Sequence, residues 1–228
     1  MNTDKLKELV AGRVAELVKD GDLLGVGTGS TVDAALLAIK KRIEQEQLSV
    51  RAITTSYQSK LGCINAGIEV VDPVSDEIPA LTFDGADEVD PDLRLIKGQG
   101  GAMLKEKILA ARSPRFIVLV DESKLVSKLG EKFPVPLEVI PDAYRYVKKE
   151  LQKLGAWSVE IRTGAANRPV ITESGNLIID ARFDSIEDEL EQQLSSVVGV
   201  VESGLFVGYV NTIILGRTRG IEILGEAL

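Results

Sequence analysis

A glycine-rich stretch, Gly25-Val26-Gly27-Thr28-Gly29-Ser30-Thr31, stands between an apolar run and an amphipathic one. Glycines let a backbone come close to a phosphate, and free amides at a helix N-terminus point toward an anion. Gly27, Thr28, Gly29, Ser30 and Thr31 are therefore candidate phosphate ligands, the hydroxyls adding hydrogen bonds. No lysine follows the last glycine, so this is not a nucleoside-triphosphate loop. The GxGxG spacing, with no acidic residue ending the next strand, makes a poor dinucleotide fingerprint. A monophosphate fits better; the alternative is a tight strand-to-helix turn capped by Ser or Thr.

Three further stretches carry reactive side chains. Asp84-Gly85-Ala86-Asp87-Glu88, with Asp90 and Asp92 beyond, offers carboxylates that can accept sugar hydroxyls, bind a divalent metal or act as bases. The calcium-loop spacing is absent and no second ligand cluster stands out, so no metal is expected. The alternative is a solvated acidic turn. Lys97-Gly98-Gln99-Gly100-Gly101 feeds a helix, and its amides suit an anion. Leu104, Ile108 and Ala111 mark that helix's buried face, and at about 100° per residue Glu106 falls off it. Spacing alone leaves Glu106 a surface glutamate between two lysines. Asp121-Glu122-Ser123-Lys124 follows a strand, where Lys124 can reach a phosphate or be an ordinary surface lysine. The chain has no histidine, so acid–base chemistry falls to Asp, Glu, Lys, Tyr or Cys63. Histidine-dependent serine and cysteine hydrolase mechanisms are excluded.

The elements that must position these groups follow from periodicity. Leu6, Val10, Val14 and Val18 recur at helical spacing, Leu23 to Val26 reads as a buried strand, and Val32, Ala35, Leu36 and Ile39 form the stripe of the next helix. Val50 to Thr54, Ala80 to Phe83 and Arg115 to Val120 read as strands ending in polar turns, the first of them Thr54-Thr55-Ser56. Strands alternating with helices imply a mostly parallel sheet, whose ligands bind at the carboxyl ends of its strands. After Gly130 the texture changes. An extended Phe133–Leu137 segment leads to a helix opened by Pro141, strands at Val159–Arg162, Pro169–Thr172 and Leu177–Ala181, and a helix capped by Ser185. The expectation is an α/β protein: a Rossmann-like, mostly parallel sheet domain from residues 1–130 plus 206–228, with a smaller α+β domain, 131–205, inserted.

A net charge of −8 argues against general nucleic-acid binding but not against a small anion held by local lysines and amides. A single cysteine rules out an intrachain disulfide and suits a reducing compartment. There is no apolar run of about 18 residues and no signal-peptide core, so no membrane partner and a soluble, cytoplasmic protein are expected.

In order, GVGTGST, DGADE, KGQGGAMLKEK and DESK resemble the blocks of the type A ribose-5-phosphate isomerases. FPVPLEVIP matches too and, more loosely, RPVITESGNLIID and GVVESGLF, so the resemblance spans essentially the whole chain. Gln99 stands where such proteins often carry glycine, leaving Lys97, Gly100 and Gly101 in place.

The resemblance implies an aldose–ketose isomerase acting on a five-carbon sugar phosphate in pentose phosphate metabolism, with no cofactor and no metal. It implies that Glu106 is the proton-transferring base of a cis-enediolate mechanism and that Lys97 steadies the enediolate charge. Asp84 and Asp87 would hold sugar hydroxyls, Asp84 assisting ring opening. Gly27 to Thr31, Ser56 and Lys124 would hold phosphate and hydroxyls, beside the backbone of Gly85, Ala86, Gly98, Gln99 and Gly100. A homodimer or homotetramer in the cytoplasm, or in a plastid stroma, is implied as well. Of the rivals, an amino-sugar phosphate deaminase is weakened by the missing histidine. A coenzyme A transferase would need a nucleotide-sized site. A sugar-phosphate sensor would carry a DNA-binding module, for which about 20 residues before the first strand are too few.

Overall fold

The structure, a computed structural model, describes residues 3–228. Met1 and Asn2 of the predicted first domain lie outside the described residues. In chain order the elements are α1 (Thr3–Ala15), β1 (Leu23–Val26), α2 (Ser30–Glu46), β2 (Arg51–Thr54), α3 (Tyr57–Asn65), β3 (Glu69–Val70), β4 (Leu81–Asp84), β5 (Glu88–Val89), β6 (Leu95–Ile96) and α4 (Met103–Arg112). There follow β7 (Phe116–Asp121), β8 (Val135–Val139), α5 (Tyr144–Lys153), β9 (Ala156–Ile161), β10 (Leu177–Phe183), α6 (Glu189–Ser195), β11 (Val200–Ser203), β12 (Leu205–Phe206), β13 (Thr212–Arg217) and β14 (Gly220–Gly225). The fold is mixed α/β, and the chain divides into two compact units. One runs to Ala86 and takes up again over Lys105–Lys124 and Tyr209–Leu228; the other holds Asp87–Leu104 and Leu125–Gly208.

Among the described residues, the first unit is built on a seven-stranded sheet of order β14-β13-β7-β4-β1-β2-β3. Its neighbours are parallel except β14, which returns antiparallel on β13. Every residue of β1, β4 and β7 is buried, because helices cover both faces of this parallel sheet. Successive strand residues face opposite sides. Leu24 and Val26 pack with Val10 and Val14 of α1 and with Val32 and Ile39 of α2. Their alternates Leu23 and Ile53 pack with Leu109 of α4. Edge strand β14 alternates half-buried and exposed positions, as a strand open on one face should.

The second unit carries a four-stranded antiparallel sheet, β11-β8-β10-β9, and a three-stranded one, β12-β6-β5. Val147 and Leu151 of α5 and Leu190 and Leu194 of α6 close its core against β8 and β10. Residues 87–104 belong here, although the sequence places them in the first domain. The reason is β5–β6 pairing and the bonding of β6 to β12, which ties this stretch to the far end of the inserted segment.

Three local differences have physical causes. The segment Pro169–Thr172 forms only isolated bridges, Thr163 to Pro169 and Ile171 to Leu177, since proline has no N–H to donate to a ladder. Ser185 does not cap the helix, which starts at Glu189 after Asp188. Residues 186–188 are held instead by Arg94, whose guanidinium donates to Ile186 O at 3.1 Å and Asp188 Oδ1 at 2.7 Å. Helix α3 forms without an apolar buried stripe, its Tyr57, Leu61 and Ile64 being exposed. Its reciprocal cap drives it: Ser56 Oγ accepts from Ser59 N while Ser59 Oγ accepts from Ser56 N, each at 3.1 Å.

Candidate active site

Four polar turns sit at the carboxyl ends of β1, β2, β4 and β7, which are consecutive neighbours in the sheet order β7-β4-β1-β2. The registers Val26–Thr54 and Val26–Phe83 bring the ends of β1, β2 and β4 together, while β7, with Val118 opposite Asp84, runs on to Asp121. Around Gly27 the packing is close. A Cβ there would lie 2.0 Å from Asp84 Cγ, so only glycine lets the carboxylate settle against the loop. Asp84 is buried, and its Oδ1 accepts from Thr28 N at 3.1 Å and Gly85 N at 2.7 Å. The Thr28 hydroxyl donates to Ser56 Oγ at 2.7 Å and lies 2.7 Å from Thr55 Oγ1. Thr28, Ser56, Asp84 and Gly85 thus form one bonded group.

Gly29, at φ +128°, is the N-cap of α2, and no side chain caps that helix. The capped-turn alternative is therefore not what forms, and the first amides of α2 keep their capacity for an anion. Ser30, Thr31 and Ala86 lie along the same rim, Thr31 and Ala86 half-buried and Ser30 exposed. Lys124 ends the short turn after β7, where Asp121 Oδ1 accepts from Ser123 N at 2.8 Å. The sequence did not single out Lys7, which donates from Nζ to Ser30 Oγ at 2.9 Å. Its position one turn before Val10 on an amphipathic helix gives no sign of that contact.

Helix α4 overturns the expected facing. Its buried residues are Met103, Glu106, Lys107, Leu109 and Ala110, while Ile108 is 53% exposed and Ala111 is exposed. Met103, Glu106, Lys107 and Ala110 follow i, i+3, i+4, i+7 spacing, so the inward stripe carries two ionisable groups. Glu106 is only 4% exposed. Flanking Lys105 lies over the Tyr57 ring at 5.9 Å and Lys107 over the Tyr209 ring at 5.7 Å. Arg112 pins the C-terminal end of α4 by donating to the carbonyls of Pro73, Ser75 and Glu77.

In the second unit, Lys97 directly follows β6 and is 3% exposed, its N bonded to Gly204 O at 2.8 Å and its Nζ 5.6 Å from the Phe206 ring centroid. Asp87 Oδ2 accepts from Gln99 N at 3.0 Å, joining the acidic turn to the glycine loop. Gly98 is buried, while Gln99 and Gly100 are exposed. Of the remaining acids of the run, Asp92 is exposed, while Glu88 and Asp90 are buried and bonded within the protein. Glu88 accepts from Gly130 N, Lys132 N and Phe133 N at 2.6–2.7 Å, and Asp90 pairs with Arg94. These two carboxylates hold loops, a division that spacing could not make. Among the described residues no group of three or more Asp, Glu, Cys or His side chains is placed to hold a metal ion. No described helix is long and apolar enough to cross a membrane.

Residues 51–220 match the family model of ribose 5-phosphate isomerase A (phosphoriboisomerase A). The chain is 45% identical to the ribose-5-phosphate isomerase A of Methanocaldococcus jannaschii, over 98% of this chain and 99% of that one. It is 44% identical to that of Methanothermobacter thermautotrophicus, over 96% and 97%. The chain belongs to the ribose 5-phosphate isomerase A family. A solved D-ribose-5-phosphate isomerase in complex with phospho-erythronic acid superimposes at a TM-score of 0.95, with 39% identity and coverage of 99% and 100%. The chain is thus an isomerase enzyme on a ribose 5-phosphate isomerase A fold.

Proposed function

We propose that this isomerase interconverts D-ribose 5-phosphate and D-ribulose 5-phosphate through a cis-enediolate, with Glu106 carrying the proton. The observation that carries the reading is the burial of Glu106 on the inward stripe of α4. Taking a carboxylate out of water is costly, and apolar packing alone would favour a different rotation of this helix. In the open-chain aldose the carboxylate takes the C2 proton. The C–H electron pair forms the C1–C2 double bond, and the C1 carbonyl pair passes to oxygen. The proton returns to C1, a carbonyl forms at C2, and a proton passes from the C2 oxygen to the C1 oxygen. The exchange is internally balanced and requires no redox partner.

In this reading Lys97 lends positive charge to the enediolate oxygens. Asp84 and Asp87 accept sugar hydroxyls, and Asp84 assists ring opening. The hydroxyls and amides of Gly27 to Thr31, with Ser56 and Lys124, take the phosphate and hydroxyls. Gly85, Ala86, Gly98, Gln99 and Gly100 add backbone contacts, and the phosphate contacts, remote from the reacting carbons, serve orientation. The uncapped start of α2 and the hydroxyl cluster around Thr28 support the phosphate end. A relative's complex with phospho-erythronic acid, a phosphorylated sugar acid, supports the ligand class. A homodimer or homotetramer in the cytoplasm, or in a plastid stroma, belongs to the same proposal, and light scattering tests the assembly.

The deciding experiment is conversion of ribose 5-phosphate by the purified chain, with chelator present, beside Glu106→Gln. Loss of about 10²- to 10⁴-fold in kcat, with phospho-erythronic acid still bound, is the expected result. Turnover that survives the substitution removes Glu106 as the base but keeps the isomerase. A parent chain that binds ribose 5-phosphate without converting it would point to a sensor.

A further inference from the structure

Arg162 directly follows β9 and faces Asp180 of β10 within the second unit. Its Nε donates to Asp180 Oδ2 at 2.9 Å and its Nη2 to Asp180 Oδ1, a two-pronged pair that fixes the guanidinium plane. The remaining Nη1 donates to two successive main-chain carbonyls of the glycine loop, Gly98 O at 2.7 Å and Gln99 O at 3.0 Å. That loop has much intrinsic freedom, with Gly98 at φ +106° and Gly101 at φ +73°. In a trans peptide the C=O and N–H point opposite ways. Drawing both carbonyls to Arg162 therefore aims the amides of Gln99 and Gly100 the other way, and the Gln99 amide meets Asp87. Lys97 is the residue immediately before this clamp.

We infer that Arg162 is a positioning residue for the isomerisation: its guanidinium, fixed by Asp180, sets the loop that places Lys97. The inference rests on the reading above, in which Lys97 steadies the enediolate. Arg162 needs no contact with substrate to do this. Lysine cannot replace it, because an ammonium cannot pair with Asp180 in a fork and span two carbonyls at once.

The test is a double-mutant cycle on the full chain: parent, Arg162→Met, Lys97→Met and the double variant, each with kcat, KM and melting temperature. Arg162→Met is expected to lower kcat about 10- to 100-fold, the scale of a misplaced catalytic group, with KM changed far less. In the Lys97→Met background the same substitution should cost less than about threefold, because the group it positions is gone. If Arg162→Met does not fold, Arg162→Lys takes its place in the cycle. A kcat within about twofold of the parent for the Arg162 variant overturns the proposal, as do two losses that simply multiply, the pattern of a general structural lesion. Parent-like turnover in Lys97→Met would remove Lys97 from the mechanism and the proposal with it. Loss there beside an inert Arg162 variant overturns the positioning role alone.

Discussion

Helices α2 and α4 both follow glycine-rich loops, and both carry apolar residues at helical spacing, yet they bury different kinds of face. In α2 the apolar residues Val32, Ala35, Leu36 and Ile39 are the buried ones. In α4 the inward stripe includes Glu106 and Lys107, and Ile108 is left in solvent. An apolar stripe identifies the inner face where hydrophobic burial is the only force that sets the helix's rotation. Where ionisable groups are held inside, the stripe misleads, and the exposed isoleucine is its residue. A helix whose rotation contradicts its own hydrophobic pattern is accordingly a functional signal of its own.

The comparison can be broken by substitution. The largest expected effect is on the α4 side, where Glu106→Gln should abolish most turnover in the assay above while melting stays near the parent's. Gly27→Ala should come next. The new Cβ would displace the Asp84 carboxylate from Thr28 N and Gly85 N, and a loss on the order of 10²-fold in kcat/KM is expected. Ile39→Ala on α2 should do the reverse, destabilising by about 2–5 kcal/mol in urea unfolding with kcat per folded molecule unchanged. A large kcat loss for Ile39→Ala would sink the division between the two helices.

Smaller effects sharpen it. Cys63 shares the apolar core of α2, and burial pushes its thiol up to about 12. The fold thus favours the neutral thiol, whereas the unfolded chain ionises it near about 8.5. That contribution to stability is whole below about 8.5 and is lost as pH rises toward 12. Denaturation midpoints of the parent, followed against Cys63→Ala, should therefore converge on the variant's across this window and run parallel at lower pH. Ile108→Ser should be the mildest, within about 0.5 kcal/mol, since the side chain already meets water. A penalty of several kcal/mol would mean that the exposed side of α4 is covered in the working enzyme.

The parallel core was legible because its strands are continuous apolar runs and its helices follow a clean period, as β1 and the stripe of α2 show. α3 was not, since its helix is set by a Ser56–Ser59 cap, a contact between hydroxyls and amides with no hydropathy signature. The candidate site was legible as motifs, not as geometry. Asp84, Asp87, Glu88 and Asp90 read as one acidic run, yet Glu88 and Asp90 bind loop amides and an arginine while Asp84 accepts amides from the glycine loop. Glu106 drew attention only through a family resemblance, its local spacing arguing the other way.

By itself, then, the sequence determined the alternating architecture, the glycine-rich turns that follow its strands, and the chemical options open to a chain without histidine. Those are local properties, read from hydropathy period, residue size and side-chain chemistry. Only the tertiary structure decided which face of α4 turns inward, which carboxylates are structural, and that Arg162 grips the loop after Lys97. Each of these depends on partners distant in sequence, and no local pattern carries the free energy of a contact made across 40 or more residues.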